Sequence, residues 1–362
     1  MGRILQGSSA RLNDPWRVPV FFMHPRNAPY HTSFRIVGAE LERALVEEGV
    51  AFHTPDVPAL ALREPYYALY DWPQADLDRF ARAKHRVVMD VVDGDELSAD
   101  RVKVFSELDQ VWFPSNFSCN TAIACGVPAE KVRRLPHGVN PMLGRFYPRH
   151  MSPALNALAA EKRVKFGWAL QHSPIRKGAD IMYRAYGRLC DRTKDTVLVI
   201  RTANDEYDAV RRDLHDARIP EDRVIIMNGV LSVAALSNWY KLIDAFVYPT
   251  RGGAFELQPL EAICCGTPAI VTGHGAPLDY ANAKNALLIK PSNRKRWLYE
   301  GHGHGVEPDV DHFVTLMQLF AADPKKVKEK LTDLGDPTLT KWTWYDAALF
   351  VKQHLAELGL KI

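Results

Sequence analysis

Short apolar runs alternate with longer amphipathic stretches along the 362 residues of this chain, and that rhythm limits its fold more than any other feature. Strands covered on both faces read as unbroken apolar runs, and the helices between them repeat at three and four residues. The pattern therefore predicts βα units feeding parallel sheets, an α/β fold. A first series places strands at 18–23, 51–55, 86–92, 110–114 and 132–136. Val37, Leu41, Ala44, Leu45 and Glu48 give the first helix its spacing, and Gly49 stops it. Residues 140–163 are rich in proline and basic residues without a clear period, so they read as a connection between domains. A second series follows, at 164–169, 196–201, 223–227, 244–249, 269–272 and 286–289.

Two sheets in tandem suit these eleven strands better than one. The expected division is a first Rossmann-like domain over 1–145, a second over 146–341, and a terminal helix over 342–362. That helix opens at Thr343 and Asp346, and Trp344, Ala348, Val351, Leu355 and Leu358 form an apolar stripe. The stripe must dock, and the first domain is the surface it would return to.

Composition narrows the class. Hydrophobic residues make up 47% and charged residues 25%, the balance of a globular protein. Lys plus Arg (46) exceeds Asp plus Glu (43) by only 3, which demands no polyanionic partner. Five cysteines, Cys119, Cys125, Cys190, Cys264 and Cys265, include no C-x-x-C pair, so neither a disulfide framework nor a zinc site is expected and a reduced, cytoplasmic setting is. No apolar leader opens the chain, and no run approaches the roughly eighteen residues of an integral membrane segment.

Chemistry concentrates in three places. Residues 244–273 read as strand, glycine loop (Gly252, Gly253), helix and strand, the arrangement that brings backbone N–H groups to a phosphate. Arg176 and Lys177 stand between a strand and a helix and would emerge at the same sheet edge. A ligand-free turn and a solvated basic pair are the plain alternatives. In the first half a valine-rich strand runs into Asp93, Gly94 and Asp95. His24, Arg26, Asn27, His31 and Ser33 follow the first strand. Glu300, His302, His304 and Asp309 lie in a glycine-rich stretch that reads as a mobile loop rather than a metal site, and Arg294, Lys295, Arg296 and Trp297 read as a solvated basic and aromatic patch.

The ordered set of these segments resembles glycosyltransferase family 4, of GT-B architecture, two Rossmann-like domains facing across a cleft. Residues 111–141 resemble the end of that family's acceptor domain. The resemblance implies a retaining transfer of a sugar from a nucleotide-diphosphate-sugar donor, with no cofactor and no divalent metal. On it Lys177 binds the donor diphosphate, Glu261 the ribose, and Gly252, Gly253, Ala254 and Phe255 wrap the phosphate and sugar. His137 and Gly138 line the cleft opposite, and Asp93 takes the catalytic position nearest the anomeric carbon. Apart from the resemblance, their place after the first strand puts His24 and Asn27 on the acceptor side, with a structural histidine as the plain alternative.

Two departures matter. Gly253 stands where the family has a sugar-binding glutamate, while Glu256 occupies a glycine position. It lies five residues from Glu261 and so on another helix face, free either to replace the lost carboxylate or to cap the helix. Gln171 replaces an arginine, which leaves Arg176 or Arg251 to supply the second charge. The competing readings are a degenerate GT-B protein that binds nucleotide or glycan without turnover, and a metal-dependent transferase using Asp93 and Asp95 as a D-x-D pair. The acceptor, whether glycan, lipid, small molecule or modified nucleic acid, is not legible.

Overall fold

The computed structural model describes residues 20–23, 33–50, 52, 60–63, 72–202, 206–335 and 342–360. The first unit runs β1 (Val20–Met23), α1 (Ser33–Glu47), β2 (Leu60–Arg63), α2 (Gln74–Arg82), β3 (His85–Met89), α3 (Ala99–Ser106), β4 (Gln110–Phe113), α4 (Asn116–Ala124) and β5 (Val132–Arg134). Its strands pair in parallel in the order β1-β2-β3-β4-β5. Successive residues of β1 enter opposite cores, Val20 and Phe22 one, Phe21 and Met23 the other, as the two-residue period of a strand requires.

Three expectations change here. The strand expected over 51–55 is described only at Phe52, which bridges Val20 and stacks on Phe22 with ring centroids 5.9 Å apart. Across β1 from it lies β2, whose four residues are too few to show a period. And β3 ends at Met89, short of the expected 92: the Asp90 N–H still donates to the Trp112 carbonyl of β4 (2.9 Å), while its buried carboxylate accepts from the Val91 N–H (2.7 Å) and pairs with Arg101 (3.1 Å).

The connection holds one short helix, α5 (Pro153–Ala160), capped by Ser152. The second unit then runs β6 (Val164–Leu170), α6 (Ala179–Cys190), β7 (Thr196–Thr202), α7 (Tyr207–Asp216), β8 (Val224–Asn228), α8 (Val233–Leu242), β9 (Ala245–Tyr248), α9 (Leu257–Cys264), β10 (Ala269–Thr272) and β11 (Ala286–Ile289). These six strands are parallel in the order β11-β10-β9-β6-β7-β8.

Beyond them the stretch expected to be a mobile loop is an antiparallel hairpin, β12 (Pro291–Tyr299) and β13 (Gly303–Pro308). Gly301 and Gly303, with φ of 73° and 67°, make its turn in a region that suits glycine. Helices α10 (Val310–Ala322) and α11 (Pro324–Glu329) close the second unit.

The chain then returns. α12 (Trp344–Glu357), started by a Thr343–Asp346 capping box, buries Trp344, Ala348, Val351 and Leu355 in one core with Val37, Leu41 and Leu45 of α1. Among the described residues no helix is long and apolar enough to cross a membrane.

Candidate active site

The turn after β6 and the turn after β9 are stitched together. The Arg251 N–H donates to the Arg176 carbonyl (2.8 Å), and the Thr250 hydroxyl donates to the same carbonyl (3.2 Å). A Cβ at Gly178 would collide with the Pro249 carbonyl, so only glycine lets α6 begin this close to β9. Two segments whose linked residues lie 74 to 76 positions apart thus share one rim of the second sheet, at the strand ends where open α/β sheets bind ligands.

Lys177 lies in this rim, only 7% exposed. Its ammonium donates to the Gln171 carbonyl (2.5 Å), and among the described residues no carboxylate lies within ion-pair distance. Burial, reinforced by the neighbouring Arg176 charge, pulls its pKa down to about 7. Arg176 is the opposite case. Burial works against its charge, but the facing carboxylates of Asp93 and Glu256 hold its pKa above the ordinary value. Its Nη1 donates to Glu256 Oε1 (2.5 Å) and to the Gly252 carbonyl (3.2 Å), and its Nε lies 3.6 Å from Asp93 Oδ2.

The glycine loop is built around these two side chains. Gly252 has no room for a Cβ, which would strike the Asp93 carbonyl. At Gly253 the space a side chain would take is filled by the carboxylate of Glu256. Glu256 is not helical: it precedes α9 with φ of 66° and makes no side-chain cap, so the helix-face comparison with Glu261 does not apply. Its Oε2 accepts from Tyr248 and its carbonyl from Tyr280, each at 2.5 Å.

The Ala254 N–H donates to Asp93 Oδ1 (2.8 Å), and the buried Phe255 ring meets His137 at 4.9 Å. Glu261 sits apart, on α9. Its Oε2 accepts from Tyr240 (2.7 Å), and burial raises its pKa, opposed by Tyr240 and Arg201.

From the first unit, Asp93 reaches into this cluster on the loop after β3. His137 is enclosed by Phe255 and by Trp344 of α12, and burial depresses its pKa to about 3. Gly138 lies against the Thr343–Trp344 backbone with no space for a Cβ. His24 and Asn27, like Arg26 and His31, lie outside the described residues, as does the Ser33 side chain.

The hairpin supplies what the sequence reading missed. The Tyr299 hydroxyl donates to Asp93 Oδ2, and the Asp93 N–H donates to His302 Nδ1 (3.1 Å). His302 is buried, and its pKa is lowered to about 4 by that burial. Next to it Asp95 pairs with Lys295 (2.7 Å) and accepts from the His304 N–H (2.7 Å). The basic patch and the glycine-rich stretch are therefore the two strands of one clamp on the Asp93–Asp95 loop. Glycines and histidines spaced two apart were its only sequence signal. Asp93 and Asp95 turn to different cations, Arg176 and Lys295. Among the described residues no three His, Cys, Asp or Glu side chains are grouped to hold a metal ion.

Residues 164–300 match the model of a family described as glycosyl transferases group 1. That segment runs from β6 through β12, so the likeness falls on the second unit. A protein of the Sulfolobus islandicus filamentous virus (isolate Iceland/Hveragerdi) that carries a glycosyltransferase name is 26% identical, over 68% of this chain and 66% of its own. A Mycolicibacterium smegmatis relative, named GDP-mannose-dependent alpha-(1-6)-phosphatidylinositol monomannoside mannosyltransferase, is 24% identical over 67% of this chain and 60% of its own. The chain thus spans under two thirds of either relative.

The fold extends the likeness to both units. Anabaena HepE, solved with UDP and glucose, superposes with a TM-score of 0.64 at 14% identity, covering 91% of this chain and 84% of that one. Sucrose-phosphate synthase from Thermosynechococcus elongatus gives 0.63 at 16% identity, covering 95% and 99%. The chain has the GT-B architecture of two Rossmann-like domains. Arg176, Lys177, the glycine loop and Glu261 fall inside the group 1 glycosyl transferase segment. Asp93 and His137 precede it, and the hairpin straddles its end.

Proposed function

We propose that the chain is a retaining glycosyltransferase that moves a sugar from a nucleoside-diphosphate sugar to an acceptor hydroxyl. The observation that carries this reading is Lys177, a buried amine with no carboxylate partner among the described residues, set beside a glycine loop at the strand ends. A buried cation held this way is completed by an anionic ligand. One relative is named for its dependence on GDP-mannose and HepE was solved with UDP and glucose, which supports a nucleotide sugar as that anion.

On this reading Lys177 and Arg176 hold the diphosphate, Glu261 the ribose and Glu256 the sugar hydroxyls, with the backbone of Gly252, Gly253, Ala254 and Phe255 around them. Asp93 faces the anomeric carbon as positive charge develops there, and His137 and Gly138 close the cleft. The bond from the anomeric carbon to the phosphate oxygen breaks, and the bond to the acceptor oxygen forms on the same face. The acceptor proton passes to the released diphosphate.

Residues 1–145 form the acceptor side, 146–341 the donor side, and 342–362 the tie between them. The reaction needs no divalent ion, since Arg176 and Lys177 supply the charge, and the five free cysteines suit the cytoplasm.

A thermal-shift panel of nucleotide sugars, followed by donor hydrolysis on any hit, tests the proposal. Tight binding without hydrolysis or transfer would favour a non-catalytic nucleotide binder. Activity lost on chelation and restored by manganese would favour the D-x-D alternative.

A further inference from the structure

Arg201, near the end of β7, is 7% exposed. Among the described residues it makes no hydrogen bond, and no carboxylate lies within ion-pair distance of it. Its Nε is sealed from solvent without an acceptor, whereas Nη1 and Nη2, equally without one, stay accessible. A buried cation left in this state is costly unless a ligand completes it.

Strand pairing and one ring contact place it. Arg201 is in register with Ala169 of β6, two residues before Gln171, whose carbonyl holds the Lys177 ammonium. Its guanidinium lies over the Trp239 ring (5.7 Å), and the neighbouring Tyr240 holds Glu261. Its charge is felt at both ends: burial, then Arg176 and Arg201, lower the pKa of Lys177, and burial raises that of Glu261 against Tyr240 and Arg201.

We propose that Arg201 binds the phosphate joined to the ribose, the α-phosphate of the nucleotide, and supplies the second unbalanced positive charge of the donor site. The proposal rests on the nucleotide-sugar reading and adds to it a binding residue that no sequence motif marks. The two arginines left as candidates by the glutamine at Gln171 are already balanced. Arg176 faces Glu256 (2.5 Å) and Asp93 (3.6 Å), and Arg251 faces Asp180 (2.7 Å) and Glu307 (3.0 Å). Either can donate to a ligand, but neither adds net charge. A diphosphate carries more than one negative charge, and Lys177 matches one. With Lys177 on the diphosphate and Glu261 on the ribose, the group lying between them is the α-phosphate, and a guanidinium fork suits it.

The test compares uridine and guanosine with their monophosphates and diphosphates on the full chain, by saturation-transfer NMR for the nucleosides and calorimetry for the nucleotides. In the wild type the first phosphate should tighten binding by about tenfold or more. Arg201→Gln should remove most of that gain, as for the loss of one charge-assisted contact, while nucleoside binding stays within about twofold. Without ligand, Arg201→Gln and Arg201→Met should both melt above the wild type, because each removes an uncompensated buried charge. Unchanged nucleotide affinity, a loss shared equally by the bare nucleoside, or melting below the wild type overturns the proposal. In each of these cases a wild type that binds the diphosphate leaves the donor reading standing. A wild type that binds none of these ligands overturns both.

Discussion

Lys177 and Arg176 are neighbours in sequence with opposite electrostatic fates, because the carboxylates of Asp93 and Glu256 lie within ion-pair distance of the guanidinium and, among the described residues, none lies that close to the amine. A diphosphate binds the protonated amine, and the free amine titrates near 7. Above that pH, binding must take up a proton, so nucleoside-diphosphate affinity should fall about tenfold per pH unit until the liganded pKa is reached. Lys177→Ala should abolish this slope and weaken binding by roughly tenfold to hundredfold, the loss of one charge-assisted contact. Calorimetry on either side of neutrality checks both. The linkage runs the other way for folding. The unfolded chain holds the proton up to the ordinary 10.5, so Lys177 makes stability rise with pH from about 7 towards that value.

For Asp93→Asn, the amide keeps an acceptor for the Ala254 N–H but loses the charge. Nucleotide affinity should stay within a few-fold while turnover falls by about a hundredfold; unchanged turnover would make Asp93 structural. Glu256→Gln should narrow the affinity gap between nucleotide sugar and bare diphosphate by about 1 to 3 kcal/mol. If both affinities shift equally, the carboxylate over Gly253 does not touch the sugar.

The hairpin is the element on which the site depends most and which the sequence disclosed least. Its outward residues are charged and its turn is glycine-rich, so neither strand shows the apolar alternation by which strands are recognised. What makes it ordered is contact: Asp95 and Glu96 donate backbone N–H groups to the His304 and His302 carbonyls, and Arg101 donates to the Gly301 carbonyl (3.2 Å). Gly94 permits this approach, since a Cβ there would collide with the His302 carbonyl. Gly94→Ala should therefore release the hairpin, seen as faster amide exchange across 291–308, with turnover reduced and the second-unit core still protected. Unaltered exchange would show that the hairpin is held by its own strand pairing.

Across the whole molecule, α12 ties the end of the chain to the first unit. Trp344 is buried against α1 residues and stacks on His137, which also meets the ring of Phe255 in the glycine loop. One aromatic column thus joins the terminal helix, the first unit and the donor loop. Trp344→Ala should cost about 3 to 5 kcal/mol, as for large aromatic truncations in cores, and should shift urea unfolding of both units. A shift confined to one unit would mean that the column does not couple them.

Most of the architecture was legible because its cause is local. The strand runs at 269–272 and 286–289 coincide with β10 and β11, the Thr343–Asp346 cap starts α12, and the break at Gly49 follows α1. Periodicity, capping and glycine turns are properties of neighbouring residues, and a sequence states them directly. Candidate residues such as Asp93, Arg176 and Lys177 could be named for the same reason, from charge beside glycine at strand ends, and Glu256 through its departure from the family pattern. Their arrangement could not. That Arg176 bridges carboxylates from both units, that Glu256 fills the place of a side chain at Gly253, and that Tyr299 and His302 grip Asp93 from 206 and 209 positions away are consequences of how the loops fold and of the two units being brought together. Those contacts arise between segments with no common period, and only the tertiary structure decides them.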